Sequence, residues 1–311
     1  MSERPAAETA DLPPLPYRDW LETKNTLHLL LQMIGKVRLG LMPSLNHWWH
    51  VPLYVSARGL TTRPIPLDGG RRAFEVELDV PGSVLTVLTI DGGRRGFEIE
   101  GQPVARLYEQ LLGTLGELGI EARILARPYG IDIETPFAED TEHGAWDPEA
   151  VQRFWRILIW VESVLARFAG TFYGKATPIH LFWHSLDLAY TRFNGARGPE
   201  LPEADASTRE AYTHEVISFG FWAGDDAVPE PSFYSYTHPS PGGLDAEPLE
   251  PDSASWNLRT GTPQALLAYD AVRAAADPAA ELLRFLETSY RAGARLRGWD
   301  LDDLRREGRV P

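Results

Sequence analysis

One segment near the N-terminus is apolar around most of a helical circumference, and it constrains the fold more than any other part of the sequence. Between Asp19 and Met42 leucine, isoleucine and valine recur without leaving a wide polar side, and Pro43 ends the pattern. Such a helix has to be enclosed by other elements, because no side of it tolerates water along its whole length. A narrow polar stripe with i+4 spacing remains, and we expect it to face either water or a pocket. The stripe consists of Lys24, His28, Gln32 and Lys36.

Strand patterns follow this helix and lead to a second helix. The first strand alternates with period two and carries His50, Tyr54, Ser56 and Arg58 on one face. The next three strands have the short connections of an antiparallel meander. The predicted strands are residues 50–62, 73–80, 84–90 and 97–100, and a short strand near 121–127 is expected after a helix that begins at Pro103 and ends before Gly119.

The second half of the sequence repeats this order of helix, strands and helix. A helix is predicted over 147–172, because Asp147 and Pro148 are favourable residues for a helix start and an apolar run follows them. Period-two and apolar segments then predict further strands. These strands are residues 179–193, 212–223, 233–238 and 255–259, and C-terminal helices are expected to begin at Pro263 and Pro278.

The patterns together predict an α+β fold made of two similar units of helix, antiparallel sheet and helix. Gly35-Lys36 and Gly174-Lys175 precede comparable strands, so an internal tandem duplication is part of the prediction. The sheets would be mixed or packed antiparallel sheets with flanking helices, and a groove between the units would be a natural ligand site. The units either form separate domains or share one core. The predicted segments are a disordered leader at 1–16, a first unit at 17–127, an acidic linker at 128–146 and a second unit at 147–311.

Composition restricts the functions that the chain could have. The 311 residues carry a formal net charge of −14, so the surface as a whole repels nucleic acid and anionic lipid headgroups. There is no cysteine, which removes thiol chemistry and leaves histidine and carboxylates as metal ligands. No signal peptide or long apolar stretch is recognisable, so we expect a cytoplasmic location. Neither nucleic acid nor a membrane is expected as a partner, and the oligomeric state is left open.

Two histidines and two tryptophans stand together in the run from Asn46 to His50, where the first helix gives way to the first strand. Imidazoles beside large aromatic rings form either a hydrogen-bonded corner or a site where histidine does chemistry. His50 begins the polar face of the strand and is the candidate functional residue. His47, with Trp48 and Trp49, is expected to form the packed corner that holds it.

Glu215 is the second conspicuous residue, because the alternation of its strand places it on the same face as Ile217, Phe219 and Phe221. Burial among aromatic rings raises the pKa of a carboxyl unless a cation pairs with it. Glu215 is therefore either a general acid or base, or one half of a structural ion pair with an arginine.

The polar faces of the predicted strands are rich in basic and phenolic groups and poor in carboxylates. This combination suits a small anionic molecule, such as a carboxylate or a phosphate, better than a divalent cation. The three lysines add compact cations, and two of them follow glycine. The candidate catalytic residues are His50, His180, His214 and Glu215. The candidate ligand-binding residues are His28, Lys36, Tyr54, Arg58, Lys175, Arg192, Tyr236 and His238.

Three functions fit these residues, and the sequence leaves them open. The favoured one is an enzyme that applies acid and base catalysis to a small anionic metabolite held in a groove. The second is a non-catalytic module that binds a ligand or another protein. The third is an enzyme with a single metal ion, and its ligands would be His50, His214, His238 and Glu215. No cofactor is predicted, since there is no Walker loop, dinucleotide-binding glycine motif, GxSxG elbow, HExxH or EF-hand loop.

Five short segments, spread over most of the chain, resemble one family. They are GKVRL at 35–39, NHWWHVPLY at 46–54, RGLT at 58–61, HEV at 214–216 and FYSY at 233–236. The sequence in these segments is similar to the bacterial domain of unknown function 5996 family. The resemblance implies a single full-length module and brings no activity, cofactor or catalytic residue. It also implies that histidine is not needed at the position of His184, which is left out of the candidate site.

Overall fold

The computed structural model describes residues 12–259 and 261–306. Its helices are α1 (Tyr17–Leu41), α2 (Val104–Glu117), α3 (Pro148–Ala169), α4 (Ala206–Ala211), α5 (Tyr269–Arg273) and α6 (Pro278–Leu296). Strands β1 to β6 are Tyr54–Ser56, Gly59–Thr61, Ile65–Leu67, Arg72–Asp79, Val84–Thr89 and Arg94–Glu98. Strands β7 to β13 are Lys175–Ala176, His180–Phe182, Asp187–Arg197, His214–Trp222, Ser232–His238, Ser255–Asn257 and Gln264–Ala268.

Helix α1 is enclosed by the rest of the molecule, as the sequence predicts. Leu27, Leu30 and Val37 have no exposed surface, and the helix packs against α2, α3 and β3. The residues of its polar stripe are buried as well, from Lys24 to Lys36. The stripe therefore does not face bulk water, and a pocket is the remaining interpretation.

The first sheet has the order β1-β2-β4-β5-β6, with β3 paired to β4, and its neighbours are antiparallel. The predicted meander is confirmed as β4, β5 and β6. The single strand predicted over 50–62 is wrong, because β1 and β2 form a tight hairpin there. Gly59 permits the hairpin, since its φ is +152° and a Cβ on it would lie 1.9 Å from the carbonyl oxygen of Leu78.

The second sheet has the order β12-β13-β11-β10-β9-β7, with β8 paired to β9, and it is also antiparallel. Strand β13 stands where the sequence predicts a helix from Pro263, and residues 121–127 form no strand. Both predictions are wrong for a tertiary reason. Strand β13 is held by hydrogen bonds to β11 and β12, whereas residues 121–127 have no neighbouring strand to pair with.

The two faces of the second sheet differ in chemistry, because successive residues of a strand point to opposite sides. The core face is mostly apolar and packs on α3 and α6, with Phe219 and Phe233 buried. The other side, which we call the polar face, carries hydroxyl groups. The strand register places Thr191, Ser218 and Tyr236 side by side on it across three neighbouring strands. One sheet thus supplies both a core and a polar wall.

The two halves of the chain share one cluster of buried apolar side chains, which includes residues of α1, both sheets and α6. A β-bridge joins Leu53 to Leu181, with N···O distances of 2.9 and 2.8 Å. Of the predicted leader, residues 1–11 lie outside the described residues, whereas Leu12 and Leu15 are buried in the shared core. The boundaries of the two predicted units stay predictions.

The α+β class is confirmed, since the described residues contain six helices and two antiparallel sheets. The two sheets differ in strand number and order, so a tandem duplication is not confirmed and stays a prediction. No helix in the described part of the chain combines the length and the apolarity needed to cross a membrane.

Candidate functional site

A cavity of about 1130 Å³ lies between α1 and the polar face of the second sheet. Lys24, His28 and Lys36 of the polar stripe form one wall, and strands β9, β10 and β11 form another. Residues 47–49 and the extended segment 123–131 contribute further parts of the lining. The cavity is therefore built by both halves of the chain, and it is large enough for a small organic molecule.

Gln32 fixes the segment 123–131 over the cavity. Its amide nitrogen donates to the carbonyl oxygen of Tyr129 at 2.9 Å, and its amide oxygen accepts from the Tyr129 N–H at 2.8 Å. A completely buried glutamine thus pairs with the backbone of one loop residue in the manner of a neighbouring strand. The Tyr129 ring stacks on His184, with 6.3 Å between the ring centroids. Of the strand predicted over 121–127, residues 123–125 line the cavity instead.

Lys36 places an ammonium group at the cavity wall without an acidic partner. Its side chain is 6% exposed, and within residues 12–259 and 261–306 it forms no ion pair. The Nζ atom lies 5.5 Å from the centre of the Trp183 ring, close enough for a cation–π contact. Burial lowers the pKa of Lys36. A buried ammonium without an acidic partner favours the binding of a ligand that has a negatively charged group.

Trp183 is held in place from two sides. Its indole nitrogen donates to the carbonyl oxygen of Val51 at 3.1 Å. The ring also lies directly against Gly35, where an added Cβ would come within 2.1 Å of it. Glycine at this position of α1 therefore admits the ring that faces Lys36. A larger residue in place of the glycine of the GKVRL segment would displace this ring.

Lys24 and His28 lie on the same wall, but each has other polar groups near it. Burial lowers the pKa of Lys24, and the neighbouring carboxylates Asp225 and Asp226 oppose that shift. Burial, and then the charge of Lys24, lower the pKa of His28 to about 4. The Nε2 of His28 lies 3.2 Å from the His184 carbonyl oxygen, and this contact requires the imidazole to donate. At neutral pH His28 is therefore an uncharged donor.

The wall formed by the strands holds a buried carboxylate, Asp187. It accepts a hydrogen bond from the hydroxyl of Ser185 and one of 2.5 Å from the hydroxyl of Tyr234. Tyr234 belongs to β11 and Asp187 to β9, so the phenol reaches across the strand between them. Gly220 of β10 allows this, because a Cβ on it would lie 2.5 Å from the Tyr234 hydroxyl oxygen.

Four further hydroxyl groups line the same wall. The hydroxyl of Tyr212 donates to that of Tyr236 at 3.2 Å, and the hydroxyls of Thr191 and Ser218 lie 2.8 Å apart. Burial raises the pKa of Tyr236 well above its usual value, so the phenol stays protonated. These groups can donate to or accept from a polar ligand without adding charge.

The histidines of the 46–50 run have exchanged the positions that the sequence predicts. His47 lines the cavity, stacks on Trp49 at 5.1 Å and has its Nδ1 3.1 Å from the Ala211 carbonyl oxygen. His50 forms the packed corner, since its Nδ1 accepts from the Leu45 N–H at 3.2 Å and its ring stacks on Trp48. The backbone turns sharply here, with φ values of +55° at His47 and +60° at Trp48. A period-two pattern cannot indicate such a turn.

One protein family matches nearly the whole length of this chain. The family is described as a family of unknown function (DUF5996), and the match covers residues 12–306. The chain belongs to this family. The family predicted from the sequence is thereby confirmed, and the DUF5996 match includes every residue of the cavity wall. Comparisons with curated proteins and with solved structures give no match.

Three of the twelve candidate residues line the cavity, and these are His28, Lys36 and Tyr236. His180 is buried away from the cavity wall, and burial, followed by the charges of Arg38 and Arg63, lowers its pKa to about 3. Tyr54 lies under the guanidinium of Arg63, 3.6 Å from the ring centre. These two candidates therefore meet each other rather than the cavity, at a ring distance of 6.4 Å.

Two basic candidates lie on other surfaces. Arg58 is exposed and forms ion pairs with Glu77 and Asp79 of the first sheet. Lys175 is exposed on the short edge strand β7. Neither side chain belongs to the cavity lining.

Arg192 lies on the core face of the second sheet, not on the polar face. Its guanidinium is 3.6 Å from the Phe168 ring centre and donates to the Phe168 carbonyl oxygen at 2.6 Å. It also donates to the Thr171 hydroxyl at 3.2 Å. Arg192 is thus a part of the core that holds α3 against the sheet.

Glu215 is one half of a structural ion pair, which is the second of its two predicted interpretations. It accepts from Arg297, from the indole of Trp299 at 3.0 Å and from Asn194 at 3.1 Å. Burial raises the pKa of Glu215, but these hydrogen bonds and the charge of Arg297 outweigh that effect and lower it. Glu215 therefore ties β10 to the chain that follows α6.

The remaining histidine candidates, His214 and His238, are partly buried near the end of the polar face. The His214 ring lies 5.6 Å from that of His47, and the His238 ring lies 4.2 Å from that of Tyr212. Within the described ranges 12–259 and 261–306 no group of three or more histidine, cysteine, aspartate or glutamate side chains is placed to hold a metal ion. The alternative site of His50, His214, His238 and Glu215 is therefore not assembled in this structure.

Several wall residues were not candidates from the sequence. Asp187, Ser218 and Tyr234 lie on the same face of three neighbouring strands. The alternation within each strand does not show which of its two faces meets the cavity. Lys24 belongs to the polar stripe of α1 and could have been included on that ground. Tyr129 carries no sequence signal, since its position depends on the buried amide of Gln32.

Proposed function

We propose that the cavity binds a small organic anion that has a flat apolar part, with Lys36 as the group that receives the negative charge. The observation that carries this proposal is the buried ammonium of Lys36 at the wall of a cavity of about 1130 Å³, with no carboxylate paired to it. A bound carboxylate, phosphate or sulfonate would provide the missing counter-charge. It would also form a charge-assisted hydrogen bond.

The aromatic lining supports the flat apolar part of the ligand. Trp183 lies beside Lys36, and Trp48, Trp49, Phe182 and Phe193 also reach the cavity. Indole and phenyl faces stack well on planar groups and provide a large apolar contact area. The neutral hydroxyls of the polar face then contribute orientation rather than charge.

The proposal concerns binding and not catalysis. The four candidate catalytic residues, His50, His180, His214 and Glu215, lie off the cavity wall. His50 forms a packed corner, His180 belongs to a buried ring cluster, and Glu215 forms an ion pair. The Nδ1 of His214 lies 3.0 Å from the hydroxyl of Thr213. An acid–base reaction would therefore depend on groups other than these four, whereas the proposed binding depends on Lys36 and the aromatic rings at the wall.

Calorimetric titration with two matched probes tests the proposal. The probes are 3-phenylpropionate and 3-phenylpropan-1-ol, which share a phenyl group and differ in charge. We expect the anion to bind at least about tenfold more tightly, because a charge-assisted hydrogen bond contributes more than a neutral one. In Lys36→Met this preference should disappear. Since the variant removes a buried charge, its melting temperature should not fall.

Two variants serve as controls. Lys175→Met removes an exposed lysine, and Arg58→Ala removes an exposed arginine, so both should keep the preference for the anion. Equal binding of the two probes by the wild type would refute the proposal. So would a Lys36→Met protein that still prefers 3-phenylpropionate.

A further inference from the structure

Asp187 is a buried carboxylate that has no basic partner. Its side chain is 7% exposed, and its hydrogen bonds come from the hydroxyls of Ser185 and Tyr234. Across the described residues, no lysine, arginine or histidine lies within ion-pair distance of it. Two neutral donors compensate a buried negative charge only in part. Asp187 is thus the acidic counterpart of Lys36 on the same cavity.

The geometry around Asp187 is specific rather than incidental. Tyr234 can reach it only across Gly220, where an added Cβ would lie 2.5 Å from the phenol oxygen and 2.6 Å from the Leu188 carbonyl oxygen. Tyr234 and Ser185 both donate to the carboxylate, so their protons are directed at it and its remaining lone pairs are free to accept. The sheet therefore holds a carboxylate in a fixed orientation at the cavity wall.

A buried carboxylate elsewhere in the same sheet is paired differently. Glu215 is also buried, and it receives a guanidinium, an indole and an amide together. Lys36 and Asp187 are both buried at the lining of one cavity, yet they do not form an ion pair with each other. Two opposite buried charges that are left apart in one cavity complement a molecule that carries both charges itself.

We propose that the ligand of this cavity is a zwitterion, with its acidic group on Lys36, its protonated amine on Asp187 and its apolar part against the tryptophans. This inference rests on the proposed function and narrows it to amino acids and related amine-bearing acids. The amine would donate to Asp187 in a third hydrogen bond beside those from Ser185 and Tyr234. A ligand with only one of the two charges would leave one protein charge buried and unpaired.

Three probes with one phenyl group test the inference by calorimetric titration of the full-length protein. They are phenylalanine, which carries both charges, 3-phenylpropionate, which carries the acid, and phenethylamine, which carries the amine. The wild type should bind phenylalanine at least about tenfold more tightly than 3-phenylpropionate. Asp187→Asn should remove that preference and leave the affinity for 3-phenylpropionate unchanged or improved.

Asp79→Asn is the matched control, because it makes the same change at a buried carboxylate of the first sheet that does not line the cavity. It should retain the preference for phenylalanine. Circular dichroism checks that each variant is folded, and if Asp187→Asn is not, the three affinities of the wild type decide alone.

The outcomes separate the two proposals. If 3-phenylpropionate binds as tightly as phenylalanine, or if Asp187→Asn keeps the preference, the zwitterion inference is wrong and the anion site stands. If phenethylamine alone binds, or if none of the three probes binds, the proposed function fails and the inference fails with it.

Discussion

A buried cation lies on each side of the second sheet, and the surroundings of the two cations differ. On the core face the guanidinium of Arg192 is surrounded by the rings of Phe168, Phe172 and Tyr290 and donates to a carbonyl oxygen. Across the cavity from the polar face, the ammonium of Lys36 has one aromatic ring beside it and no hydrogen bond among the described contacts. The fold supplies two hydrogen-bond acceptors to the guanidinium of Arg192, although its Nε has none, whereas it supplies none to the ammonium of Lys36 among the described contacts.

This difference distinguishes a buried charge that stabilises the fold from one that can pair with a ligand. Arginine suits the closed site, because its flat guanidinium stacks on aromatic rings and stays weakly hydrated. Lysine suits the open site, because its compact ammonium can pair with whatever enters. A buried cation is therefore not evidence of function by itself. The evidence is a buried cation that lies at the wall of a cavity and has no acceptor there for its ammonium group.

The largest effect is expected on the core face. Arg192→Ala would leave a cavity among aromatic rings and remove the donor to the Phe168 carbonyl oxygen, so the free energy of unfolding should fall by about 3–5 kcal/mol. Urea denaturation measures this loss. Arg58→Ala is the matched control, and because Arg58 is exposed it should cost less than about 1 kcal/mol. Equal effects of the two variants would contradict the assignment of Arg192 to the core.

The next effect concerns pH and the buried imidazole of His28. Its pKa is lowered to about 4, so the unfolded chain binds a proton more readily than the folded protein does between about pH 6.5 and 4. The stability contributed by neutral His28 is thus complete above about pH 6.5 and is lost as the pH falls toward 4, by about 3 kcal/mol in all.

His28→Gln should reduce this acid sensitivity, because glutamine keeps a donor for the His184 carbonyl oxygen and does not titrate. Urea denaturation at neutral pH and at pH 5 measures the difference. A variant as sensitive to acid as the wild type would show that His28 is not responsible.

The smallest effect is expected at the glycine that lets Tyr234 cross the polar face. Gly220→Ala places a methyl group against the phenol oxygen and the Leu188 carbonyl oxygen, so we expect a loss of about 1–3 kcal/mol. It should also weaken phenylalanine binding more than 3-phenylpropionate binding, since Asp187 loses its oriented donor. Gly116→Ala in α2 is the control, because nothing lies near its added Cβ. A harmless Gly220→Ala would show that the crossing tyrosine is not needed.

Local patterns predicted most of the secondary structure. Helix α1, the meander of β4 to β6, and helices α2, α3 and α6 follow from periodicity and from residues that start or stop helices. The errors lie where long-range pairing decides. Strand β13 exists because β11 and β12 flank it, and the hairpin of β1 and β2 depends on the close approach of Gly59 to Leu78.

The candidate site was predicted less well, and the reason is again long-range. Of the residues proposed from the sequence, His28, Lys36 and Tyr236 reach the cavity. The choice between His47 and His50 depended on two residues with positive φ, which a strand pattern cannot contain. Asp187 was missed because a carboxylate at a strand start has no distinguishing feature until the position of Tyr234 is known.

The sequence by itself determined that α1 is buried, that the chain is α+β and that a polar stripe runs along an otherwise apolar helix. These are consequences of side-chain spacing and of the cost of exposing apolar surface. Only the tertiary structure decided that the stripe faces a cavity, that Arg192 is enclosed by the core and that Lys36 and Asp187 are left unpaired. Whether a charge finds a partner depends on residues far away in the chain, and no local pattern carries that information.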